Sequence, residues 1–493
     1  VFSRMSSLKK FVSDTAIYGL SSVVARFINY FLVPLYTLKL PSTSSYGVVT
    51  VMFSYCTFLN VFLTFGMETT FFNFARQSDN PKSVFSAALR WVGSLAFILV
   101  VCCFAFDQSI MNWVGYPQHP EYARYFGLII ATDALVAVAL SKMRYDQIPW
   151  KFAAIRTSNI AVNIGLNLFF ILLCPYLLEL GYTWPNSIYN PDDLVSYIFI
   201  SNLCASLFTF ILLLPSLSSI LHKPDKGQIR IMLLYAAPLV IAGFAGMVNE
   251  TMDRILLKKL MPANLADAEA GIYGAFYKAS LVITIFLQAY RYAIEPILFK
   301  ASGGGKDKEH LALAAKWFTY ACSVLFLGTL LFLPEFSHLI IRNDDYFLDP
   351  RGLKVVPILL TANVFLGLFF NAGMWYKINQ QTKYGAAIAI IGATITIIGN
   401  FIFIPEYGFV ACAWITVAAY GVMLIIAYLW GQKHYPVNYD LKRILPVLAI
   451  SLGGSALLHL FDVSRWLNAL LLLFVLVFIY IFEWRAKPKH SNS

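Results

Sequence analysis

The stretch GMVNETMDRILLKK, Gly246–Lys259, brings Asn249, Glu250, Asp253 and Arg254 together directly after the apolar run YAAPLVIAGFA. Glu250, Asp253 and Arg254 are spaced i, i+3 and i+4 and so share one helical face. Two further stripes have the same character. Asn60, Thr64 and Glu68 recur at i, i+4 and i+8, and Gln288, Arg291 and Glu295 at i, i+3 and i+7. Polar faces of this kind either join helices as buried ion pairs or line a polar cleft. Arg26 and Lys278 also fall deep in apolar segments. A central Arg or Lys costs ~2.5–3.5 kcal/mol on insertion scales, so both are expected to face protein or water instead of lipid.

The elements that carry these residues must be membrane helices. The chain has 493 residues, of which 59% are hydrophobic and 13% charged, with a mean hydropathy of +0.67. A soluble domain carries roughly 25% charge. Apolar runs of about 20 residues recur from end to end, the length a helix needs to cross a bilayer. Fourteen spans are read, at 13–37, 46–70, 83–106, 121–141, 152–174, 193–215, 231–256, 271–298, 311–333, 354–375, 384–404, 408–430, 444–460 and 466–483. The fold class is therefore an all-α polytopic membrane protein. The basic opening VFSRMSSLKK is followed by no small-residue cleavage site and reads as a start, not a signal peptide.

The net charge of +11 would suggest nucleic acid in a soluble protein. Here it follows the positive-inside rule. The connections 1–12, 71–82, 142–151, 216–230, 299–310, 376–383, 431–443 and 484–493 hold 22 Lys and Arg, and the opposite side holds 7. That asymmetry places both termini in the cytoplasm and agrees with an even number of spans. The seven cysteines lie in or beside apolar runs without a CxxC pair and read as packing residues.

The chain also repeats itself. Tyr46-Gly47 and Tyr273-Gly274 each open a span, and Glu68 and Glu295 each follow their Tyr by 22 residues. Arg26 precedes the first Tyr by 20 residues and Arg254 the second by 19. Four residue types in one order across a 227-residue shift indicate duplication. Six spans separate the copies, so both insert with the same orientation, as a parallel pseudo-twofold repeat with a site between lobes. The expected domains are a six-helix lobe at 1–222, a second at 223–432, and two extra helices with a cytoplasmic tail at 433–493.

YAAPLVIAGFAGMVNETMDRILLKKLMP followed by AGIYGAFYKASLVITIFLQAYRYAIEPILF resembles the seventh and eighth helices of the polysaccharide transporter family, the O-antigen-type oligosaccharide flippases. The likeness includes Pro238, the Asp253-Arg254 pair, GIYGAFYKAS and Pro296, and SSYGVVTVMFSY resembles the start of the family's second helix. The resemblance implies a non-enzymatic flippase of the bacterial inner membrane. Such a protein moves an undecaprenyl-pyrophosphate-linked glycan from the cytoplasmic to the outer leaflet by alternating access, for lipopolysaccharide or exopolysaccharide assembly. A pyrophosphate suits the planar fork of arginine. Arg26 and Arg254 are the first candidates for it, followed by Lys278 and Arg291. Asn60, Asn249, Gln288, Tyr46 and Tyr273 are candidates for sugar hydroxyls. Glu68, Glu250, Asp253 and Glu295 are candidates for pairing with those cations in the empty state, or for a coupling H+ or Na+. No other cofactor and no nucleic acid are expected. Membrane lipids, a polysaccharide polymerase and glycosyltransferases are the implied partners of a monomer.

The run SGGGKDKEH at 302–310 lacks the spacing of a phosphate-binding loop, and neither HExxH nor an acidic metal motif occurs. Two related functions compete with glycan export: a lipid II flippase, which also handles a lipid pyrophosphate, and an ion-coupled multidrug extruder. The excess of intramembrane basic residues favours an anionic cargo over the cations an extruder usually carries. The outer loops are too short for a membrane polymerase or ligase.

Overall fold

The structure, a computed structural model, describes residues 30–301, 307–456 and 465–486. All regular structure among these residues is helical, and they form two compact units, 1–274 and 275–493. Eleven helices are long and apolar enough to cross a membrane, and the bent pair Ala263–Ala279 and Leu281–Tyr292 supplies a twelfth span. These match the expected spans 2 to 12 and 14 one for one. The expected span 13–37 lies mostly outside the described residues, and 444–460 partly so.

In the first unit the spanning helices are α1 (Thr43–Thr64), continued by α2 (Met67–Ala75), then α3 (Pro81–Ala105), α4 (Glu121–Tyr145), α5 (Pro149–Leu168), α6 (Leu194–Leu217) and α7 (Gln228–Leu260). Helix starts are marked by side chains that satisfy the free N–H groups of the first turn. Ser42 accepts from the Ser45 N–H at 3.2 Å, Asn80 from Ser83 at 3.3 Å with Pro81 following it, and Asp193 from Ser196 at 3.3 Å. Helix α4 is the most buried of the set and packs against both α3 and α6, while α7 packs along α1. Within the spans, Ser and Thr hydroxyls bond back to the carbonyl four residues earlier, as Ser54 does to Thr50 and Thr64 to Asn60, both at 2.8 Å. This satisfies the hydroxyl where no water is present.

The second span is broken. Phe65 (φ 46°) and Gly66 (φ 62°) adopt left-handed backbone between α1 and α2. The glycine makes this affordable, and the turn lies against Leu239 of α7. The Asn60–Thr64–Glu68 stripe therefore does not continue as one helical face: Glu68 belongs to the first turn of a new helix.

The helix α8 (Ala263–Ala279) and α9 (Leu281–Ala301) form the eighth span, bent by 49° at Ser280. In the second unit, Asn363 of α11 (Arg351–Ala372) donates to the Ser280 carbonyl at 3.0 Å, satisfying a group that the bend releases. The unit's other spans are α10 (Asp307–Leu331), α12 (Thr382–Tyr407), α13 (Phe409–His434) and α15 (Arg465–Ala486), with the short α14 (Leu441–Leu448) between the last two. Helices α11, α12 and α13 make the tightest group, sealed at one end by Trp375, whose indole donates to the Ala427 carbonyl at 3.2 Å. Helix α15 is the least buried of the spans and packs on α10. There Lys316 meets Glu483 at 2.8 Å, and Arg443 reaches the same carboxylate at 3.3 Å. Both break points differ from the duplication read in the sequence: the second span breaks after its nineteenth residue past Tyr46, the eighth only seven residues past Tyr273.

Candidate functional site

The buried charges gather where α7, α1 and the first turns of α8 meet in the first unit. Asn249, Asp253 and Arg254 of α7 are all buried, with Asp253 5% and Arg254 7% exposed. One carboxylate organises the group. Asp253 Oδ1 accepts from the Arg254 backbone N–H at 2.8 Å and from Arg254 Nη1 at 3.2 Å. Its Oδ2 accepts from the Tyr273 hydroxyl at 2.6 Å. The guanidinium also lies 5.5 Å from the centroid of the Tyr273 ring, a cation–π distance, and within electrostatic range of the buried Tyr46. A buried charge is tolerated only when paired and hydrogen-bonded, and Asp253 and Arg254 meet both conditions.

Glu250 departs from the expectation that it would help neutralise Arg254. Its carboxylate is exposed, and its contribution is the main-chain carbonyl, which accepts from Arg254 Nη1 at 2.7 Å. The guanidinium curls back over its own helix by one turn instead of reaching outward.

The tyrosine–glycine pairs of the two repeats come together here, and the glycines explain why. A Cβ on Gly47 would stand 1.8 Å from the Asp267 carbonyl oxygen, and one on Gly271 would stand 1.9 Å from the Thr43 carbonyl oxygen. Helices α1 and α8 thus cross backbone to backbone, as small residues permit in membranes. Gly274 faces the Thr50 side chain at the same crossing. Beside it, Lys258 pairs with Asp267 at 2.8 Å, Tyr116 donates to Asp267 at 2.7 Å, and the Lys258 ammonium sits 4.2 Å from the Tyr116 ring. Burial first, then the Asp267 charge, raises the Tyr116 hydroxyl well above its ordinary pKa, so it remains a donor.

The other predicted residues are spread through the membrane depth. Asn60 lies fourteen residues beyond Tyr46 on α1, about 21 Å along the axis. Its Oδ1 is buried without a hydrogen-bond partner. Glu68 lies beyond the break and pairs with Arg144 at 2.8 Å, both groups more than a third exposed. In the second unit, Lys278 is half-buried in the last turn of α8, Gln288 is half-buried on α9, and Arg291 is exposed with its guanidinium 4.5 Å from the Phe370 ring. Arg26 and the side chain of Glu295 lie outside the described residues.

Three residues of the cluster, Tyr116, Lys258 and Asp267, were not singled out by sequence, and neither was the buried Glu269, two residues beyond Asp267. The last two sit in the run ANLADAEAGIYG, which forms the first turns of α8. The regular placement of Ala266 and Ala270, both fully buried, is the helical signal that extends the span back over them.

Comparison with known proteins places this geometry in a fold. No protein-family profile matches the chain. A solved lipid II flippase, MurJ in an inward closed conformation, superimposes over 94% of this chain and 98% of its own, with a TM-score of 0.69 and 16% identity. A multidrug resistance MATE transporter of the MOP superfamily, in an inward-facing conformation, covers 85% and 94% with a TM-score of 0.64 and 14% identity. The chain shares the fold of these two proteins. In sequence, the chain is 22% identical over 506 aligned positions to the uncharacterized membrane protein MJ1068 of Methanocaldococcus jannaschii, covering 97% of the chain and 94% of that protein. The polar cluster of Asp253, Arg254 and Tyr273 therefore sits in a multi-pass scaffold shared with transporters and a flippase.

Proposed function

We propose that this chain flips a polyprenyl-pyrophosphate-linked oligosaccharide across the bacterial cytoplasmic membrane, from the cytoplasmic to the outer leaflet. The observation that carries this reading is the buried Arg254, held in place by Asp253 and Tyr273. A fixed, partly desolvated guanidinium is suited to a diphosphate, whose oxygens accept its paired N–H groups. The entering diphosphate competes with Asp253 for Arg254, and Tyr273 retains Asp253 as it lets go. Arg26 takes the second phosphate, with Lys278 and Arg291 as further cationic contacts. Asn60, Asn249, Gln288, Tyr46 and Tyr273 meet sugar hydroxyls. Glu68, Glu250, Asp253 and Glu295 are the groups for a coupling H+ or Na+. The protein works as a monomer with both termini cytoplasmic, between glycosyltransferases and a polymerase.

The test is surface glycan in a flippase-deficient host, with membrane levels of each variant checked. Arg254→Lys keeps the charge and loses the fork, so export falls by about tenfold or more, roughly 1.4 kcal/mol of lost stabilisation. Arg254→Ala removes it altogether. Full export by both variants would remove Arg254 from the mechanism. A second reading, lipid II transport, is favoured by the extent of the likeness to the lipid II flippase. Rescue of a host lacking its lipid II flippase, with no glycan export, selects it.

A further inference from the structure

A second cluster, at the start of α4 and α6 in the first unit, has no place in the transport reading. His119 Nδ1 lies 2.8 Å from Glu121 Oε1, and one ligand atom each of His119, Glu121 and Asp193 lies within 4.8 Å of the others. All three are half-buried. Neither carboxylate has a Lys or Arg partner among the described residues; the nearby Arg124 is engaged by Asp107. The imidazole is held in orientation by stacking on Tyr122, with centroids 4.6 Å apart and planes 5° from parallel. Two carboxylates therefore converge on an oriented imidazole with no Lys or Arg among the described residues paired to them.

We propose that His119, Glu121 and Asp193 form a divalent-metal site of the zinc class. Imidazole nitrogen and carboxylate oxygen are both ligand types of this ion, and three such donors leave a position for water to complete a tetrahedron. Bond lengths of about 2.0–2.2 Å require the donors to close by roughly an ångström, within reach of side-chain rotation at these half-exposed positions. Asp193 caps α6 through Oδ1, which leaves Oδ2 for the metal. Glu121 opens α4, so the carboxylates sit at helix N-termini, where negative charge is favoured. The ion takes the place of the present contact between His119 and Glu121. Once bound, it fastens the first turn of α4 to the first turn of α6.

The experiment uses the full-length protein in detergent, stripped with chelator and free of any affinity tag. ZnCl2 is titrated calorimetrically, and CoCl2 is added separately as an absorbance probe of coordination. The expected result is one Zn2+ per chain and a raised unfolding temperature. His119→Ala and Asp193→Asn each weaken binding by more than the roughly 10–100-fold that loss of an outer-shell partner costs. Asp193→Asn separates coordination from folding, because Asn caps a helix as well as Asp does. His338→Ala, at a histidine facing Asp344 elsewhere in the chain, leaves binding unchanged. Zn2+ bound with undiminished affinity by both site variants, or no binding by the wild-type protein in molar excess of metal, overturns the proposal.

Discussion

Asp253 accepts three hydrogen bonds, two from Arg254 and one from Tyr273, and that count sets how the residue behaves under mutation. Removing Tyr273's hydroxyl deletes a bond to a charged acceptor, worth about 1.5–3 kcal/mol. Removing Asp253's charge takes an anionic partner from the buried Arg254, a loss of up to about 3–5 kcal/mol. Because both changes act on one carboxylate, Tyr273→Phe and Asp253→Asn together should fall short of additivity by about 0.5–3 kcal/mol. Thermal unfolding of the four proteins of this cycle in detergent measures the shortfall; strict additivity would mean that the Tyr273 hydroxyl and the Asp253 carboxylate are not energetically coupled. The Asp253–Arg254 pair was legible because adjacency on one helix leaves few alternatives. Glu250 was misread for a geometric reason. A guanidinium curling back along its helix meets the carbonyl four residues earlier before it meets that residue's carboxylate.

Helix identity and order were readable for the twelve spans among the described residues, since a run of about 20 apolar residues has one solution in a bilayer. The breaks were not. Gly66 is one glycine among several in apolar runs, and only its left-handed φ distinguishes it. Ser280 carries no breaker signal, and its bend is supported by Asn363, 83 residues away. The Tyr-Gly pairs were legible as a repeat but not as a contact, because spacing does not reveal which face a helix turns to its neighbour. The crossing of α1 and α8 predicts a graded series. Gly47→Ala and Gly271→Ala push a methyl into main-chain carbonyls and should cost about 1–3 kcal/mol or more. Gly274→Ala meets the Thr50 side chain, which can turn aside, and should cost less. Unfolding temperatures of the three variants test the order; Gly274→Ala as the most damaging would show that side chains, not backbones, set the approach.

For the molecule as a whole, the charge asymmetry of the loops yields a topology prediction that the fold itself does not depend on. In a background lacking the seven native cysteines, Ser187→Cys should react with an impermeant thiol reagent added outside cells, and Lys226→Cys only after permeabilisation. Both positions are exposed, so access, not burial, decides the outcome. The reverse pattern would invert the orientation and with it the direction of transport. The separation of Tyr46 from Glu68 also acquires a meaning at this scale. Twenty-two residues of straight helix extend about 33 Å, close to the thickness of the hydrocarbon core. The break at Phe65–Gly66 and the bend at Ser280 shorten the two stretches from that length. The repeated Tyr and Glu thus mark opposite ends of a crossing instead of neighbours in one cleft, and the intervening Asn60 lies at mid-depth.

The pairing of Asp253 with Arg254 and Tyr273 also bears on how the chain is made. These partners lie within 20 residues of one another, whereas Glu68 and Arg144 are 76 apart. At roughly 5–20 residues per second, a ribosome delivers Tyr273 about one to four seconds after Asp253. The seventh span can therefore leave the insertion machinery with its charges already neutralised by its own hairpin. It need not wait for a distant helix to arrive, and its insertion is insulated from mutations elsewhere in the chain.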